Sequence, residues 1–215
     1  FPWVSDFSVK HGGWRDLSKT KFRLAKGDEL LDRTYAVSKH HVSDPGLSDL
    51  ALCIYLARRA PLSVLKSVVR TNFVPEHYPA TMERLYAWSP DECIPEFYCD
   101  PTVFSSSNDL KDLEVPSWCA SPEEFVRYHR DLLESQEVSK YIHLWIDLTF
   151  GVHATGPASV RERNCPLVVK GDAYRGSRVS TSSPGAARLF SVPHPRRAVS
   201  SPSKLEGVSI LETYL

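Results

Sequence analysis

The sequence lacks the features that mark several large classes of protein. No run approaches the roughly 18 apolar residues that a membrane-spanning helix needs, so none is predicted. Lysine plus arginine number 26, as do aspartate plus glutamate, so no overall field favours nucleic acid or an anionic membrane. Nucleic acid is therefore not an expected partner, and any electrostatic partner must bind a local patch.

Methionine is almost absent, and the cysteines show no pairing pattern. The only methionine is Met82 and the chain opens with Phe1, Pro2 and Trp3, so we expect a segment of a longer protein. The five cysteines are odd in number and form no C-x-x-C. This pattern favours reduced thiols in a cytosolic protein over a disulfide framework.

Motifs of the common enzyme and metal-binding classes are missing as well. The sequence contains no G-x-S-x-G, no phosphate-binding loop and no H-E-x-x-H. The cysteines have no usual zinc spacing, and the adjacent His40 and His41 cannot share one face of a helix or strand. We therefore predict no cofactor, no metal and no enzymatic activity.

What the sequence does contain is one long apolar stretch, residues 135–151, that predicts a helix. At about 100° per residue its apolar side chains cover about two thirds of the circumference, which predicts a buried core helix. Ser135 is the predicted N-cap, and Gly151 is predicted to take the left-handed position after the helix.

Lys140, His143 and Asp147 form a narrow polar stripe on this helix, at spacings that let neighbouring side chains meet. A histidine paired with an aspartate can act as a general-base dyad. We favour the alternative, in which Asp147 holds His143 or Lys140 in a structural hydrogen bond, because no nucleophile is evident nearby.

Hydrophobic patterns predict three further helices, at residues 50–59, 62–69 and 157–163. The first is predicted to be buried and to end in Arg58 and Arg59, whose charges suit the C-terminal end of a helix dipole.

Two S-P-x-E sequences, residues 89–92 and 121–124, each predict a helix start in the form of a capping box. The helix after the first must be short, because Pro95 follows. The helix after the second is predicted to run to about residue 134, with His129 as a core histidine on its apolar face.

Residues 95–118 combine prolines and serines with many large apolar side chains. The prolines interrupt helix and sheet, yet the apolar content is too high for a solvated loop. We predict irregular chain packed into the core, with Trp118 as an anchor. Its backbone groups need partners, which we expect from the carboxylates Asp91, Glu92, Glu96 and Asp100. A catalytic carboxylate cluster is the less favoured alternative.

The N-terminal residues 1–40 show little periodicity and are predicted to be irregular. Within them, a basic stretch offers candidates for contact with acidic lipid or an acidic partner, namely Arg15, Lys19, Lys21, Arg23 and Lys26. We favour the other interpretation, in which this stretch is a solvated loop held by salt bridges.

Several segments appear in the order seen in BEACH domains. They include Phe1-Pro2-Trp3-Val4, Ile94-Pro95-Glu96-Phe97-Tyr98, Val115-Pro116-Ser117-Trp118, His143-Leu144-Trp145-Ile146-Asp147-Leu148 with Phe150-Gly151, and Leu189-Phe190 with Pro193-His194-Pro195-Arg196. The chain therefore resembles a BEACH domain over residues 1–197, with residues 198–215 as a C-terminal linker. It departs from the family pattern in lacking the segment that precedes the first motif, and in having Val152-His153 in place of Tyr-Lys.

The resemblance implies a mainly α fold, in which helices pack around core segments that lack regular secondary structure. It also implies structural roles for Pro95, Glu96, Phe97, Trp118, His143, Trp145, Asp147 and Gly151.

In function, the resemblance implies a non-catalytic scaffold within a large cytoplasmic protein. Such a protein carries a WD-repeat propeller C-terminal to this domain and acts in membrane traffic, endosome and lysosome maturation and autophagy. Its partners would be other proteins and adjacent domains, with peripheral association at endosomal and lysosomal membranes. The alternative is a hydrolase or lipid-modifying enzyme that uses His143 and Asp147.

Overall fold

The computed structural model of the chain describes residues 2–7, 9–10, 12–43, 47–167 and 188–198. In these residues, short helices alternate with irregular segments, and β structure is limited to three isolated bridges. The α-helices are α1 Lys21–Lys26, α2 Asp28–Val37, α3 Asp49–Tyr55, α4 Leu62–Val68, α5 Met82–Trp88, α6 Glu96–Cys99, α7 Pro122–Leu133, α8 Gln136–Thr149 and α9 Gly156–Arg161. Two 3-10 helices span Pro75–His77 and Pro101–Phe104. The predicted mainly α fold is confirmed.

Serine caps fix the starts of the two longest helices, α7 and α8. The Ser121 side chain accepts a hydrogen bond from the Glu124 N–H, and the Ser135 side chain accepts one from the Val138 N–H, as the sequence predicts. The prediction for Gly151 is wrong, because its φ is not positive.

Gly151 is required for a different reason. A Cβ atom at this position would lie 2.7 Å from Asp147 Oδ1 and 2.8 Å from Asp147 Cα. Glycine therefore allows the chain leaving α8 to pass directly against the preceding turn.

The burial of α8 also differs from the prediction. Its fully buried residues include the polar Ser139, His143 and Asp147, while Trp145 is half-buried and Tyr141 is exposed. Of the predicted polar stripe, His143 and Asp147 are buried and Lys140 is exposed. Residues 188–198 lie against the polar face, where His194 and Arg197 contact Asp147 and Ser139, while the apolar Val138 and Leu148 are buried as predicted.

The prediction of an irregular N-terminal region is wrong for residues 21–37, which form α1 and α2. The Thr20 side chain caps α1, and Gly27, with a φ of 81°, separates the two helices. Asp28 lies in the first turn of α2, where the helix dipole favours a negative charge. The apolar periodicity is weak because both helices are short and Leu31 is the one buried residue of α2.

The first S-P-x-E sequence does not begin a helix. Ser89 is instead the C-cap of α5, and the next helix, α6, begins only at Glu96. The box cannot close because the Glu92 carboxylate accepts hydrogen bonds from Arg15 and from the Lys21 N–H. A distant segment has taken the group that would have capped the helix.

The helix predicted over residues 50–59 is shorter than expected, since α3 ends at Tyr55. Arg58 does not serve the helix dipole. Its guanidinium is buried and donates to the Lys111 carbonyl at 2.8 Å and to the Pro79 carbonyl at 2.9 Å. It therefore ties the turn after α3 to two irregular segments.

Aromatic rings from segments remote in sequence meet in the core. Phe104 lies 5.4 Å from both Phe97 and Phe125, and Phe7 lies 5.7 Å from Phe125, measured between ring centroids in edge-to-face contacts. The prediction of irregular chain packed in the core is confirmed for residues 105–118. Before them, α6 and the 3-10 helix Pro101–Phe104 supply short regular turns that the prediction omitted.

Candidate functional site

Arg15 of the basic stretch forms an ion pair in which the arginine side chain is fully buried and the Glu92 side chain is half-buried. Arg15 Nη2 lies 2.6 Å from Glu92 Oε1, and Arg15 Nη1 lies 2.8 Å from Glu92 Oε2. Burial alone would lower the pKa of Arg15 and raise that of Glu92, but each opposite charge outweighs burial and keeps its partner ionised. This bidentate pair joins the N-terminal segment to the chain after α5.

Lys21 lies beside this pair, and its side chain is also buried and hydrogen-bonded within the fold. Its ammonium group donates to the carbonyls of Tyr86 and Ser89 and lies 3.9 Å from the centroid of the Tyr86 ring. Burial lowers the pKa of Lys21 to about 8. The cation caps the C-terminal end of α5, whose last carbonyls have no helical partner.

Arg23 makes the third internal contact of the basic stretch. Its guanidinium binds the Asp28 carboxylate at 2.7 and 3.0 Å, and this hydrogen bonding lowers the pKa of Asp28 to about 2. It also reaches the Glu162 carbonyl at 3.3 Å, after α9. Arg23 therefore ties α1, α2 and α9 together.

The predicted contact patch is consequently wrong for Arg15, Lys21 and Arg23, whose side chains are buried in these contacts. Lys19 is half-buried and Lys26 is exposed. For these two residues, contact with acidic lipid or an acidic partner stays a prediction.

The His143–Asp147 pair lies under residues 188–198. Asp147 Oδ1 accepts a hydrogen bond from the His194 N–H at 2.9 Å. Burial and the nearby Arg196 lower the pKa of His143, and the charge of Asp147 offsets this only in part. Among the described residues, no hydrogen bond joins His143 to Asp147 and His143 Nδ1 has no partner.

Ser139 lies one turn before His143 on the same face, so that a serine, a histidine and an aspartate align at four-residue spacing. The Ser139 hydroxyl accepts from Arg197 Nη1 at 3.2 Å and not from the histidine. Nucleophilic hydrolysis requires a hydrogen bond between nucleophile and base, which this arrangement lacks. Ser139 was not among the predicted site residues, although its i, i+4 spacing to His143 is visible in the sequence.

Of the remaining residues of the family motifs, Phe97, Trp118 and Trp145 lie in or against the core, whereas Glu96 is half-buried and Pro95 is exposed. Phe97 is fully buried, and Trp145 packs edge-to-face on Trp3 at 5.9 Å between centroids. Trp118 Nε1 donates to the Phe7 carbonyl at 2.6 Å. Pro95 precedes the first residue of α6, Glu96.

Of the four carboxylates expected to bind backbone groups of residues 95–118, Asp100 does so among the described residues, accepting the Thr102 N–H at 2.9 Å. The prediction is wrong for Asp91 and Glu92, which accept from the Ser48 N–H at 3.0 Å and the Lys21 N–H at 3.2 Å, outside that segment. Glu96 differs, because its buried Oε2 has no partner among the described residues.

An open groove of about 490 Å³ lies outside this network. Its floor is α3, one wall is the segment after α4, and the other runs from the end of α5 to Asp91. The lining is largely apolar, and two of its side chains are well exposed, with Leu50 at 47% and Trp88 at 59%. An exposed tryptophan beside an apolar groove is typical of a protein-binding surface.

The acidic residue at the groove is hydrogen-bonded within the fold, whereas the two arginines beside it form no ion pair among the described residues. Asp91, at one end, is hydrogen-bonded to Ser48. Arg70 lies on the opposite wall, where its Nη1 is 2.5 Å from His77 Nδ1. Arg84 stacks on Trp88 at 4.1 Å from the ring centroid. Within the described residues neither arginine forms an ion pair, so both remain available to an acidic group.

The groove was not predicted from the sequence. The apolar run from Leu50 was predicted to be wholly buried, and no helix was predicted where α5 lies. An apolar residue at position 50 in the first turn of α3 gives no signal that it faces outward.

The described residues contain no group of three or more histidine, cysteine or carboxylate side chains that could hold a metal ion. They also contain no helix with both the length and the apolar character to cross a membrane, α8 being the longest at 14 residues.

The Beige/BEACH domain family matches residues 1–183 of the chain. The chain is 50% identical over 221 residues to Protein GFS12 of Arabidopsis thaliana, covering 99% of this chain and 13% of that protein. It is 47% identical over 220 residues to WD repeat-containing protein 81 of Homo sapiens, covering 94% and 11%. It is 45% identical over 198 residues to Suppressor of organelle fusion 2 of Caenorhabditis elegans, covering 92% and 14%.

The chain therefore spans only a small part of the length of these relatives. None of these three names refers to an enzymatic activity, and one of the three is a WD-repeat protein. The matched segment includes the motifs from Phe1 to Gly151 on which the resemblance was based. On these grounds, the chain belongs to the Beige/BEACH domain family.

Proposed function

We propose that this chain is a non-catalytic, protein-binding domain of a large WD-repeat scaffold. The observation that carries the proposal is the apolar groove between α3 and the end of α5, with Leu50 and Trp88 exposed on its edges. It is a concave apolar surface to which the fold itself has assigned no partner among the described residues.

The proposed occupant of the groove is an apolar segment of another protein that also carries an acidic residue. Its apolar side chains would pack on Leu50 and Trp88, and its carboxylate would pair with Arg70. Aromatic and arginine side chains contribute most to binding energy in protein interfaces, which fits this composition.

The proposed setting is membrane traffic, with endosome and lysosome maturation and autophagy as its processes. The family match and the WD-repeat relative support a scaffold within a large protein. The name of the nematode relative connects that protein with organelle fusion. Peripheral association with endosomal and lysosomal membranes is part of this proposal.

The proposal is tested by affinity capture with the whole protein in cells, comparing wild type with Leu50→Glu/Trp88→Ala. Both positions are exposed, so the fold is expected to survive. We expect specific partners to be lost from the double variant and retained by Val37→Glu. This control also places a glutamate at an exposed apolar position, but Val37 lies on α2, outside the groove, and is 92% exposed. Identical partner sets for all three proteins would contradict the role of the groove.

The alternative, a hydrolase or lipid-modifying enzyme using His143 and Asp147, has one observation in its favour. Ser139 aligns with these two residues on one face of α8. It has weaker support than the scaffold, because residues 188–198 cover that face and the Ser139 hydroxyl bonds Arg197.

A further inference from the structure

Residues 188–198, called here the strap, run along α8 and are held to it mainly through backbone groups. The N–H groups of Leu189 and Phe190 both donate to the Phe150 carbonyl, at 2.7 and 3.1 Å. Farther along, the His194 N–H donates to Asp147. Arg197 closes the far end by binding Glu134 at 2.8 Å and Ser139 at 3.2 Å.

This mode of attachment leaves the apolar side chains of the strap outside the core. Leu189 is 71% exposed, Phe190 is 42% exposed and Val192 is 68% exposed. Phe150, whose carbonyl anchors the strap, is exposed as well. Four exposed large apolar side chains therefore lie near the C-terminal end of α8, three on the strap and one at the helix end. Backbone hydrogen bonds to the Phe150 carbonyl hold the strap in place.

The charges that accompany these side chains are all positive. Residues 188–198 contain Arg188, Arg196 and Arg197 and no carboxylate. Arg197 is paired with Glu134, whereas Arg188 and Arg196 are exposed and form no ion pair with any other described residue. Exposed apolar side chains flanked by unpaired arginines are the composition of segments that bind the interface of an anionic membrane.

We propose that the strap is a membrane-contact site for anionic phospholipid. Leu189, Phe190 and Val192 enter the boundary between headgroups and acyl chains, while Arg188 and Arg196 bind lipid phosphates. The hydrogen bonds to α8 hold the backbone in place, so little ordering is required on binding. This lipid site lies apart from the groove, and it rests on the peripheral membrane association that the proposed function includes.

The proposal is tested by co-sedimentation of the 215-residue chain with vesicles of phosphatidylcholine, with and without phosphatidylserine. We expect binding only to the vesicles that contain phosphatidylserine, and weaker binding as salt is raised. Arg188→Glu/Arg196→Glu should lose about fivefold in affinity for each positive charge removed. Leu189→Ser/Val192→Ser should lose about tenfold.

Two matched controls locate the effect. Val37→Ser removes an exposed apolar side chain outside the strap, and Lys19→Glu/Lys26→Glu reverses the two accessible charges of the basic stretch. Val37→Ser should bind vesicles like wild type, and Lys19→Glu/Lys26→Glu should lose less affinity than Arg188→Glu/Arg196→Glu. Thermal scans of all variants should agree, because the altered side chains are exposed or only half-buried.

Three results would overturn the proposal. They are no binding by the wild-type chain, equal binding to the two vesicle types, and unchanged binding by both strap variants. A loss confined to Lys19→Glu/Lys26→Glu would place the lipid contact at α1 and equally overturn it. Partner capture through the groove is measured separately, so failure of this proposal and failure of the protein-binding role are distinguishable.

Discussion

At the scale of single residues, the Arg15–Glu92 pair shows why Arg15 is not part of the predicted contact patch. The arginine side chain is fully buried, and the carboxylate binds both it and the Lys21 N–H. We expect Arg15→Met to cost about 3–5 kcal/mol of unfolding free energy, because it leaves a buried charge without its partner. Urea titration of the single variant measures this loss.

The double variant Arg15→Met/Glu92→Leu provides the control for that prediction. Removing both charges should recover part of the loss, since no buried charge is then left unpaired, while the Lys21 N–H still loses its acceptor. A change in unfolding free energy of less than about 0.5 kcal/mol for Arg15→Met alone is typical of a surface substitution. Such a result would show that the pair is not buried as described.

His129 gives the chain a specific sensitivity to acid. It packs among Phe7, Trp118, Phe125 and Tyr128 in the core, and burial lowers its pKa to about 2. Below pH 6.5, His129 takes up a proton in the unfolded chain and stays neutral in the folded chain, so the free energy of unfolding decreases as the pH is lowered. We expect a loss of about 2 kcal/mol at pH 5 relative to neutral pH from this residue.

The variant His129→Phe isolates this contribution, because phenylalanine keeps an aromatic ring in place and does not titrate. Urea midpoints at pH 7.5 and pH 5 should differ less for the variant than for wild type. Equal pH dependence in the two proteins would show that His129 is protonated readily in the folded state.

Asp147 separates the structural interpretation from the enzymatic one. Its carboxylate accepts the His194 N–H, and an amide oxygen can accept the same bond. Asp147→Asn should therefore lower stability slightly and Asp147→Ala by about 1–3 kcal/mol, since the latter leaves a donor unsatisfied. Turnover of an ester or lipid that Asp147→Asn abolishes without changing the melting temperature would instead establish the enzyme.

At the scale of elements, local capping signals predicted helix starts well where no distant group competed for them. Ser121 and Ser135 cap α7 and α8 as their sequences indicate. The same signal failed at residues 89–92, because Arg15 and Lys21, more than 70 residues away, bind the glutamate. No pattern within the four residues could reveal that competition.

Gly151 lies against Asp147, the residue of α8 that binds the strap, so a substitution there should loosen the strap. A Cβ atom there would clash with Asp147, whose side chain holds the strap through His194. We expect Gly151→Ala to cost about 1–3 kcal/mol and to displace the Asp147 side chain. Hydrogen exchange of residues 188–198 should be faster in this variant than in wild type.

The matched control for Gly151→Ala is Gly27→Ala. No atom lies within 4 Å of a Cβ at Gly27, but its φ of 81° strains any other residue. Gly27→Ala should therefore reduce stability without faster exchange in the strap. Equal exchange of the strap in both variants would show that Gly151 and Asp147 do not control it.

At the scale of the whole molecule, the fold class and the candidate site differed in how far the sequence could predict them. The prediction of helices around irregular core segments succeeded because residues 95–118 combine prolines with large apolar side chains. The groove was not predictable, because it is built from α3, the segment after α4 and the end of α5. Their arrangement depends on contacts such as Arg58 with Lys111 and Pro79.

The central claim is that this chain binds an apolar, acidic protein segment in the groove. The most direct measurement is the equilibrium affinity of the purified chain for a peptide from a partner recovered by affinity capture. Wild type, Leu50→Glu/Trp88→Ala, Arg70→Glu and Val37→Glu are compared at equal concentration. The account predicts that the two groove variants lose about tenfold or more and that Val37→Glu binds like wild type. Equal affinity of all four proteins would contradict it.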